Sequence, residues 1–115
     1  MQRSVLLRLN DVLRAIDGAT ETIAGADFET FRSVYHMART VERCIEIVSE
    51  ATRHLPAEIK SRYPDIPWQQ IAGIGNVLRH DYDIVDDYVV WDVATVHFPR
   101  LRAVISEVRS QWSEN

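Results

Sequence analysis

The chain has 115 residues, of which 46% are hydrophobic and 26% charged, with only four glycines and four prolines. These values fit one soluble globular domain that can bury a core without a metal or disulfide. The net charge of −4 excludes an overall basic field that would draw the chain to nucleic acid or anionic lipid. A small basic cleft remains compatible with that charge.

The cysteine count and the N-terminal sequence indicate the compartment. Cys44 is the single cysteine, so an intrachain disulfide is excluded and a reducing environment is indicated. Charged residues interrupt the N-terminal apolar positions before a secretory core is complete, and no apolar run approaches membrane-spanning length. The expected location is the cytoplasm, without membrane association.

The first half of the chain predicts two long helices. The first has apolar residues at helical spacing and fades near Gly25: Val5, Leu6, Leu9, Val12, Leu13 and Ile16. Asp27 is the expected N-cap of the second helix, whose apolar residues recur in steps of three and four as far as "HLP" at residues 54–56. The segment after it contains Pro56, Pro64 and Pro67, with one helical turn expected around residues 57–63.

The second half predicts two more helices, which complete an all-α fold. Pro67 suits the first position of a third helix that reaches His80. Asp86 or Asp87 is expected to cap a fourth helix, which continues to Trp112 and is broken or kinked near Pro99. Residues 1–115 are therefore predicted to form one all-α bundle of four or five helices.

A dense polar cluster follows two glycines in "GIGNVLRHDYD", residues 73–83. The cluster falls at the predicted end of the third helix, where polar side chains commonly converge on a ligand. His80 is the side chain best suited to transfer a proton near neutral pH. Tyr82 adds a hydroxyl group that donates and accepts hydrogen bonds. A solvated helix-end histidine and a packed tyrosine are the alternative interpretations.

Three segments resemble the HepT-like branch of the HEPN superfamily: "VERCIEIVSEATRHLP", "YPDIPWQQIAGIGN" and "RHDYDIVDDYVVWDVATVHFPRLRAVI". The resemblance covers nearly the whole chain. It implies a dimeric all-α protein, the toxin of a type VII-like toxin–antitoxin pair with a minimal nucleotidyltransferase as antitoxin. It also implies a metal-independent ribonuclease that acts on tRNA or mRNA, with no cofactor, metal or DNA involved.

The family signature is an arginine, four to six intervening residues, a histidine, any residue and a tyrosine. His80 and Tyr82 match its second half, but the three allowed arginine positions hold Gly73, Ile74 and Gly75. The resemblance implies that His80 acts as general base or acid and that the absent arginine would stabilise the phosphorane-like transition state. It further implies that the partner can attach AMP to Tyr82.

Two nearby residues suggest a shifted version of that site. Arg79 lies four residues after Gly75, which places it on nearly the same helix face, one turn along. Asn76 lies four residues before His80, where it could orient the imidazole. Arg79, Asn76, His80 and Tyr82 are therefore the candidate catalytic residues. The alternative function is a nuclease-inactive module that binds nucleotide, RNA or the partner, and a third is a plain helical scaffold.

The glycines and a polar row on the second helix each have two interpretations. The glycines serve close helix or dimer packing, which is favoured, or make room for a nucleotide phosphate. The row pairs charges at steps of three and four: Arg43, Glu46, Glu50, and Arg53 or His54. It is interpreted as a salt-bridge ladder, although the resemblance implies that Arg43 and Glu46 support the cleft.

Overall fold

A computed structural model describes residues 4–81, 83 and 85–112. The described chain is helical and contains no strand, which confirms the predicted all-α class. The helices are α1 Val5–Ile23, α2 Phe28–Ser33, α3 Tyr35–Arg53, α4 Ala57–Ser61, α5 Trp68–His80, α6 Asp87–Asp92 and α7 Phe98–Gln111, with a π-helical turn, Val93–His97, between α6 and α7. None of these helices combines the length and apolarity needed to cross a bilayer.

The helix starts follow from short polar side chains that accept backbone hydrogen bonds. The Asp27 carboxylate accepts the Thr30 backbone N–H at 2.8 Å, and the Asp86 carboxylate accepts the Tyr88 N–H at 2.7 Å. Both are N-caps, which satisfy donors that the first helical turn leaves without partners. The predicted cap at Asp27 is confirmed, and Asp86 is the cap of the fourth predicted helix.

The second predicted helix is present with one interruption, at Val34. Val34 is extended, with φ −99° and ψ 103°, so α2 ends there and α3 starts in a new direction. The Ser33 hydroxyl donates to the Thr30 carbonyl at 3.2 Å and helps to satisfy the end of α2. The bend allows the buried Phe31 ring to pack against the Trp91 ring, with centroids 5.2 Å apart.

Pro99 disturbs the fourth predicted helix without ending it. Proline lacks the backbone N–H that an α-helical turn would require. Here Pro99 lies in the first turn of α7, directly after the π-helical turn, and the Phe98 N–H donates to the Val93 carbonyl five residues earlier. The predicted break is therefore a widened turn, and the chain remains helical from Asp87 to Gln111.

Helix α3 lies at the centre of the bundle, packed against α1 on one side and α5 on the other, while α7 packs against α1. The core contains fully buried residues from α1, α2, α3 and α7, among them Leu9, Val12, Ile16, Phe31, Val41, Ile45, Val48, Leu101 and Ile105, and α5 adds the buried Leu78. Cys44 is part of this core, and its burial raises the pKa of the thiol. Because α3 is flanked in this way, its remaining exposed face lies beside both α1 and α5.

Candidate functional site

Helices α3 and α5 cross closely at Ser49 and Gly75. The buried Ser49 hydroxyl donates to the Ala72 carbonyl at 2.7 Å and accepts the Gly75 backbone N–H at 3.2 Å. A Cβ at Gly75 would stand 2.5 Å from the Ser49 Oγ, well inside van der Waals contact. The favoured packing interpretation is confirmed for this glycine. An arginine at position 75 would require Ser49 or the helix backbone to move.

Gly73 lies in a different environment on the same helix. A Cβ added there would meet nothing within 4 Å, so no packing within the described chain requires this glycine. At 100° per residue, Gly73, Asn76, Val77 and His80 fall on one face of α5, spread over about 100°. All four are exposed. Packing against a second chain remains a prediction for this face.

His80 is the last residue of α5, and Asn76 lies one turn before it. Both side chains are exposed, and among the described residues no hydrogen bond joins the Asn76 amide to the His80 ring. The helix ends at Asp81, whose N–H donates to the Val77 carbonyl at 2.7 Å. The imidazole is thus presented to solvent at the C-terminal end of α5. Tyr82, the other predicted catalytic residue, lies outside the described residues.

Arg79 points to a separate place, a cleft of about 190 Å³ between α1, α3 and α5. We call it the arginine cleft; it is lined by Arg8, Asp11, Arg43, Glu46, Ile47, Glu50, Ala51 and Arg79. The structure therefore brings Arg79 together with Arg43 and Glu46, the two predicted support residues. His80 and Asn76 do not line the cleft, so one chain does not gather all four candidate residues around one cavity.

Ion pairs in and beside the arginine cleft confirm the predicted ladder on α3. The Arg43 guanidinium lies 3.4 Å from the Glu46 carboxylate. The Glu50 carboxylate pairs with Arg53 and, at 3.0 Å, with the His54 ring. The His54 hydrogen bond, together with the nearby Arg53 charge, lowers the pKa of Glu50 below its ordinary value.

Arg8 was not predicted from the sequence as a site residue. Its Nε is enclosed and has no hydrogen-bond partner in the described part of the chain. Such orphaned donors are uncommon in folded proteins because removing them from water without a partner is costly. The sequence carried little signal for Arg8, since it is one of several charged residues on α1 and its cleft neighbours are remote along the chain.

A second cavity, of about 230 Å³, lies between α3, α5 and the π-helical turn. Its wall is mostly apolar, and His97 at its edge lies 3.3 Å from the Asp92 carboxylate. The His97 side chain is 52% exposed, so this histidine is not buried in the core of the chain. Within the described ranges, no group of three or more His, Cys, Asp or Glu side chains is arranged to hold a metal ion.

The fold and the site together describe a small all-α domain with an exposed histidine at a helix end and an arginine-lined cleft next to it. The Ribonuclease HepT-like family model matches residues 12–108. The chain belongs to this family. That membership confirms the family resemblance found in the sequence.

Several proteins are similar to the chain over nearly their whole length. "Probable ribonuclease HepT" of Thermococcus cleftensis is 31% identical, covering 95% of this chain and 99% of that protein. A protein of Methanocaldococcus jannaschii named "Putative RNase" is 29% identical, covering 98% and 97%. A "Putative RNase" of Caldanaerobacter subterraneus is also 29% identical, covering 87% and 89%. No solved structure matches the chain at a significant level.

Proposed function

We propose that the chain is a metal-independent ribonuclease, the toxin of a HepT-like toxin–antitoxin pair, with His80 and Tyr82 in its active site. The observation that carries the proposal is the exposed His80 ring at the end of α5, in a His-x-Tyr motif. It is supported by the membership of the HepT-like family and by the names of the similar proteins.

The proposed reaction uses the RNA as its own nucleophile. The ribose 2′-hydroxyl attacks the adjacent phosphorus and the bond to the 5′-oxygen breaks, which leaves a 2′,3′-cyclic phosphate and a 5′-hydroxyl. His80 takes the proton from the 2′-hydroxyl or gives one to the leaving oxygen. Tyr82 binds the phosphate or base, or orients the imidazole.

Arg79 is proposed to replace the signature arginine. A phosphorane-like transition state carries extra negative charge, which a guanidinium stabilises through paired hydrogen bonds. Position 75 is closed to a side chain by Ser49, whereas Arg79 leaves α5 one turn later and about 40° away around the helix axis. Arg79 makes no ion pair among the described residues, so its charge is available to a ligand.

A second copy of the chain is proposed to complete the site. Adjacent residues on a helix point about 100° apart, and Arg79 faces the arginine cleft while His80 does not line it. The face of α5 around His80 also includes Val77, which is 37% exposed. A two-fold dimer formed through this face would place His80 of one protomer near the cleft of its partner.

The proposed partner is a minimal nucleotidyltransferase that silences the toxin by attaching AMP to Tyr82. A bulky, charged group attached to Tyr82, two residues after His80 in the sequence, would compete with RNA for the site and repel its phosphates. The partner should transfer AMP from ATP labelled at the α-phosphate to the wild type, with release of pyrophosphate, and should not label Tyr82→Phe. Labelling that persists in Tyr82→Phe would remove this part of the proposal.

A second candidate function is a nuclease-inactive module that binds RNA, nucleotide or the partner. The observation that favours it is the filled α3–α5 crossing, which leaves no room for the signature arginine at Gly75. This candidate predicts the same dimer and the same partner. It differs in predicting that the purified chain does not cut RNA.

Cleavage of single-stranded RNA by the purified dimer, with EDTA present, tests the ribonuclease function. We expect products with 2′,3′-cyclic phosphate ends from the wild type, and a loss of roughly 10²–10⁴-fold in rate for His80→Ala. His97→Ala is the matched control, because His97 is exposed and lies outside the arginine cleft. No cleavage by the wild type would favour the inactive module, and full activity of His80→Ala would contradict the proposed site.

A further inference from the structure

We infer that a single strand of RNA binds along the exposed face of α3, with a phosphate in the arginine cleft and a base stacked on Tyr35. The inference rests on the ribonuclease function proposed above and adds two residues, Arg8 and Tyr35, that lie outside the family signature.

Three arginines from three helices line the arginine cleft: Arg8 of α1, Arg43 of α3 and Arg79 of α5. The Arg8 Nε is enclosed and lacks a hydrogen-bond partner among the described residues. A phosphate oxygen in the cleft would accept that hydrogen bond, and charge-assisted bonds from guanidinium to phosphate are strong and directional. A phosphate therefore satisfies a donor that the described chain leaves without an acceptor.

The acidic residues of the cleft do not cancel its positive charge. Glu50 is paired with Arg53 and His54, which do not line the cleft. The negative charge of Glu50 is thus balanced by side chains that lie outside the arginine cleft. The three arginines then outnumber the two remaining carboxylates of the lining, Asp11 and Glu46, by one positive charge. The local balance favours an anion, although the chain as a whole is acidic.

Tyr35 offers an aromatic surface at the other end of the same helix face. It is the first residue of α3 and is 74% exposed. The Arg39 guanidinium lies 5.0 Å from the ring centroid, and Arg39 is itself held by Glu42 at 2.6 Å. Exposed aromatic rings stack on nucleic-acid bases without regard to sequence, and a neighbouring arginine adds a cation–π contribution.

The spacing along α3 fits a strand rather than a single nucleotide. Tyr35, Arg39 and Arg43 follow one another in steps of four, so they lie within about 80° around the helix. Tyr35 and Arg43 are eight residues apart, or about 12 Å along the axis, which exceeds one stacked step of about 3.4 Å. Stacking on Tyr35 requires an exposed base, and bases are exposed in single-stranded RNA and hidden in a duplex.

Binding should be measured in the His80→Ala background, so that the RNA remains intact. The probe is a short fluorescent single-stranded oligoribonucleotide, and the readouts are its Kd and the Tm of each variant. We expect Tyr35→Ala to weaken binding by about 5- to 150-fold, the equivalent of one stacked base. Tyr35→Phe keeps the ring and should change Kd less than about twofold.

Arg8 is tested in the same background. Arg8→Leu should raise Kd by about 10- to 100-fold, as expected for the loss of a charge-assisted hydrogen bond. Arg8→Lys retains the charge without the Nε donor, and its Kd should lie between that of the parent protein and that of Arg8→Leu. It replaces Arg8→Leu as the test variant if Arg8→Leu does not fold. Arg100→Ala, which removes an exposed arginine paired with Asp65, is the control and should leave Kd unchanged.

Salt dependence and competitors identify the ligand. The slope of the logarithm of the association constant against the logarithm of the salt concentration should be shallow, near −2 for three arginines. In Arg8→Leu the slope should become less negative by about 0.7. Duplex RNA of the same sequence should bind more weakly. Equal binding of duplex and single strand, or wild-type Kd values in both Tyr35→Ala and Arg8→Leu, would overturn the inference. Competition by inorganic phosphate without any effect of Tyr35→Ala would also overturn it, leaving only an anion pocket.

These outcomes are distinct from the failure of the ribonuclease proposal. If the wild type does not cut RNA but Tyr35→Ala and Arg8→Leu weaken binding, the strand site stands and the ribonuclease proposal fails. If cleavage depends on His80 while both variants bind and cut like their controls, the ribonuclease proposal stands and the strand site is wrong.

Discussion

Helix α5 has two sides that differ in how the chain uses its polar groups. On the side facing α3, the Ser49 hydroxyl makes two hydrogen bonds, and the fit at Gly75 leaves no space for a methyl group. At the exposed end, the side chains of Arg79 and His80 make no ion pair or hydrogen bond within the described chain. The first side stabilises the fold, whereas the second holds groups that the fold does not need. Substitutions on the two sides should therefore separate stability from activity.

The largest effect is expected from Gly75→Arg, which restores the signature arginine in sequence. The new side chain would begin 2.5 Å from the Ser49 Oγ, and overpacking of a close helix crossing costs about 3 kcal/mol or more when the backbone has to shift. We expect a large loss of the free energy of unfolding and no gain in cleavage. A stable Gly75→Arg protein that cuts RNA faster would show that the two sides of α5 are not separate.

Arg79→Ala is the matching change at the exposed end. The loss of one preorganised charge donor should reduce the cleavage rate about 10²–10³-fold, or roughly 3–4 kcal/mol in activation free energy. Thermal unfolding should be nearly unchanged, because the side chain is exposed and makes no ion pair in the described chain. Unchanged single-turnover cleavage by Arg79→Ala would remove Arg79 from the proposed site.

Gly75→Ala tests the buried side of α5 with a minimal change. Its single methyl group meets Ser49, and we expect a loss of about 1–3 kcal/mol in the free energy of unfolding, measured by urea denaturation. Shortening the neighbour in Ser49→Gly should recover part of that loss in the double variant, although it also removes the hydrogen bonds of the hydroxyl. Additive effects of the two substitutions would argue against a direct clash.

Gly73→Ala is the control on the exposed face, two residues away. Nothing lies within 4 Å of the added methyl group, and alanine is a better helix former by about 0.5–1 kcal/mol. The free energy of unfolding should therefore rise by that amount. Weaker dimerisation or slower cleavage in this more stable variant would indicate that the face around Gly73 closes against a second chain or the RNA.

The smallest effect concerns an ion pair remote from the site. The Arg102 guanidinium bonds the Asp17 carboxylate at 2.6 Å and lowers the pKa of that carboxyl. A carboxyl with a lowered pKa stabilises the folded state above its ordinary pKa of about 3.9 and loses that contribution as pH falls through the folded value. The Tm of Asp17→Asn should lie slightly below that of the wild type at about pH 7. This difference in Tm should disappear as the pH falls below about 4. A difference in Tm that does not change with pH would contradict the ion-pair explanation.

Local sequence signals were sufficient to predict most of the helices and the residues that cap their N-termini. Asp27 and Asp86 cap their helices through hydrogen bonds to residues two or three positions away, which a sequence pattern can reveal. The interruption at Val34 was not visible because Val34 falls at an apolar position that continues the helical spacing. It depends on where the buried Phe31 ring packs, and that is set by tertiary contact with Trp91.

The candidate site was predictable only in part, for the same reason. His80, Arg79 and Arg43 were identified from residue type and family spacing. The roles of Ser49 and Arg8 depend on partners far along the chain: Ser49 meets Gly75 26 residues later, and Arg8 meets α3 and α5 in the arginine cleft. A single sequence does not show such pairs, because nothing in the local pattern distinguishes a serine at a helix crossing from a serine in solvent.

The most direct test of a site shared between two protomers mixes two inactive variants, His80→Ala and Arg79→Ala, and follows cleavage of single-stranded RNA after the subunits exchange. If each site takes His80 from one protomer and Arg79 from the other, a mixed dimer regains one site with both residues intact. We predict activity well above that of either variant alone. A mixture that has exchanged subunits and is no more active than its components would contradict a site shared between two copies of α5.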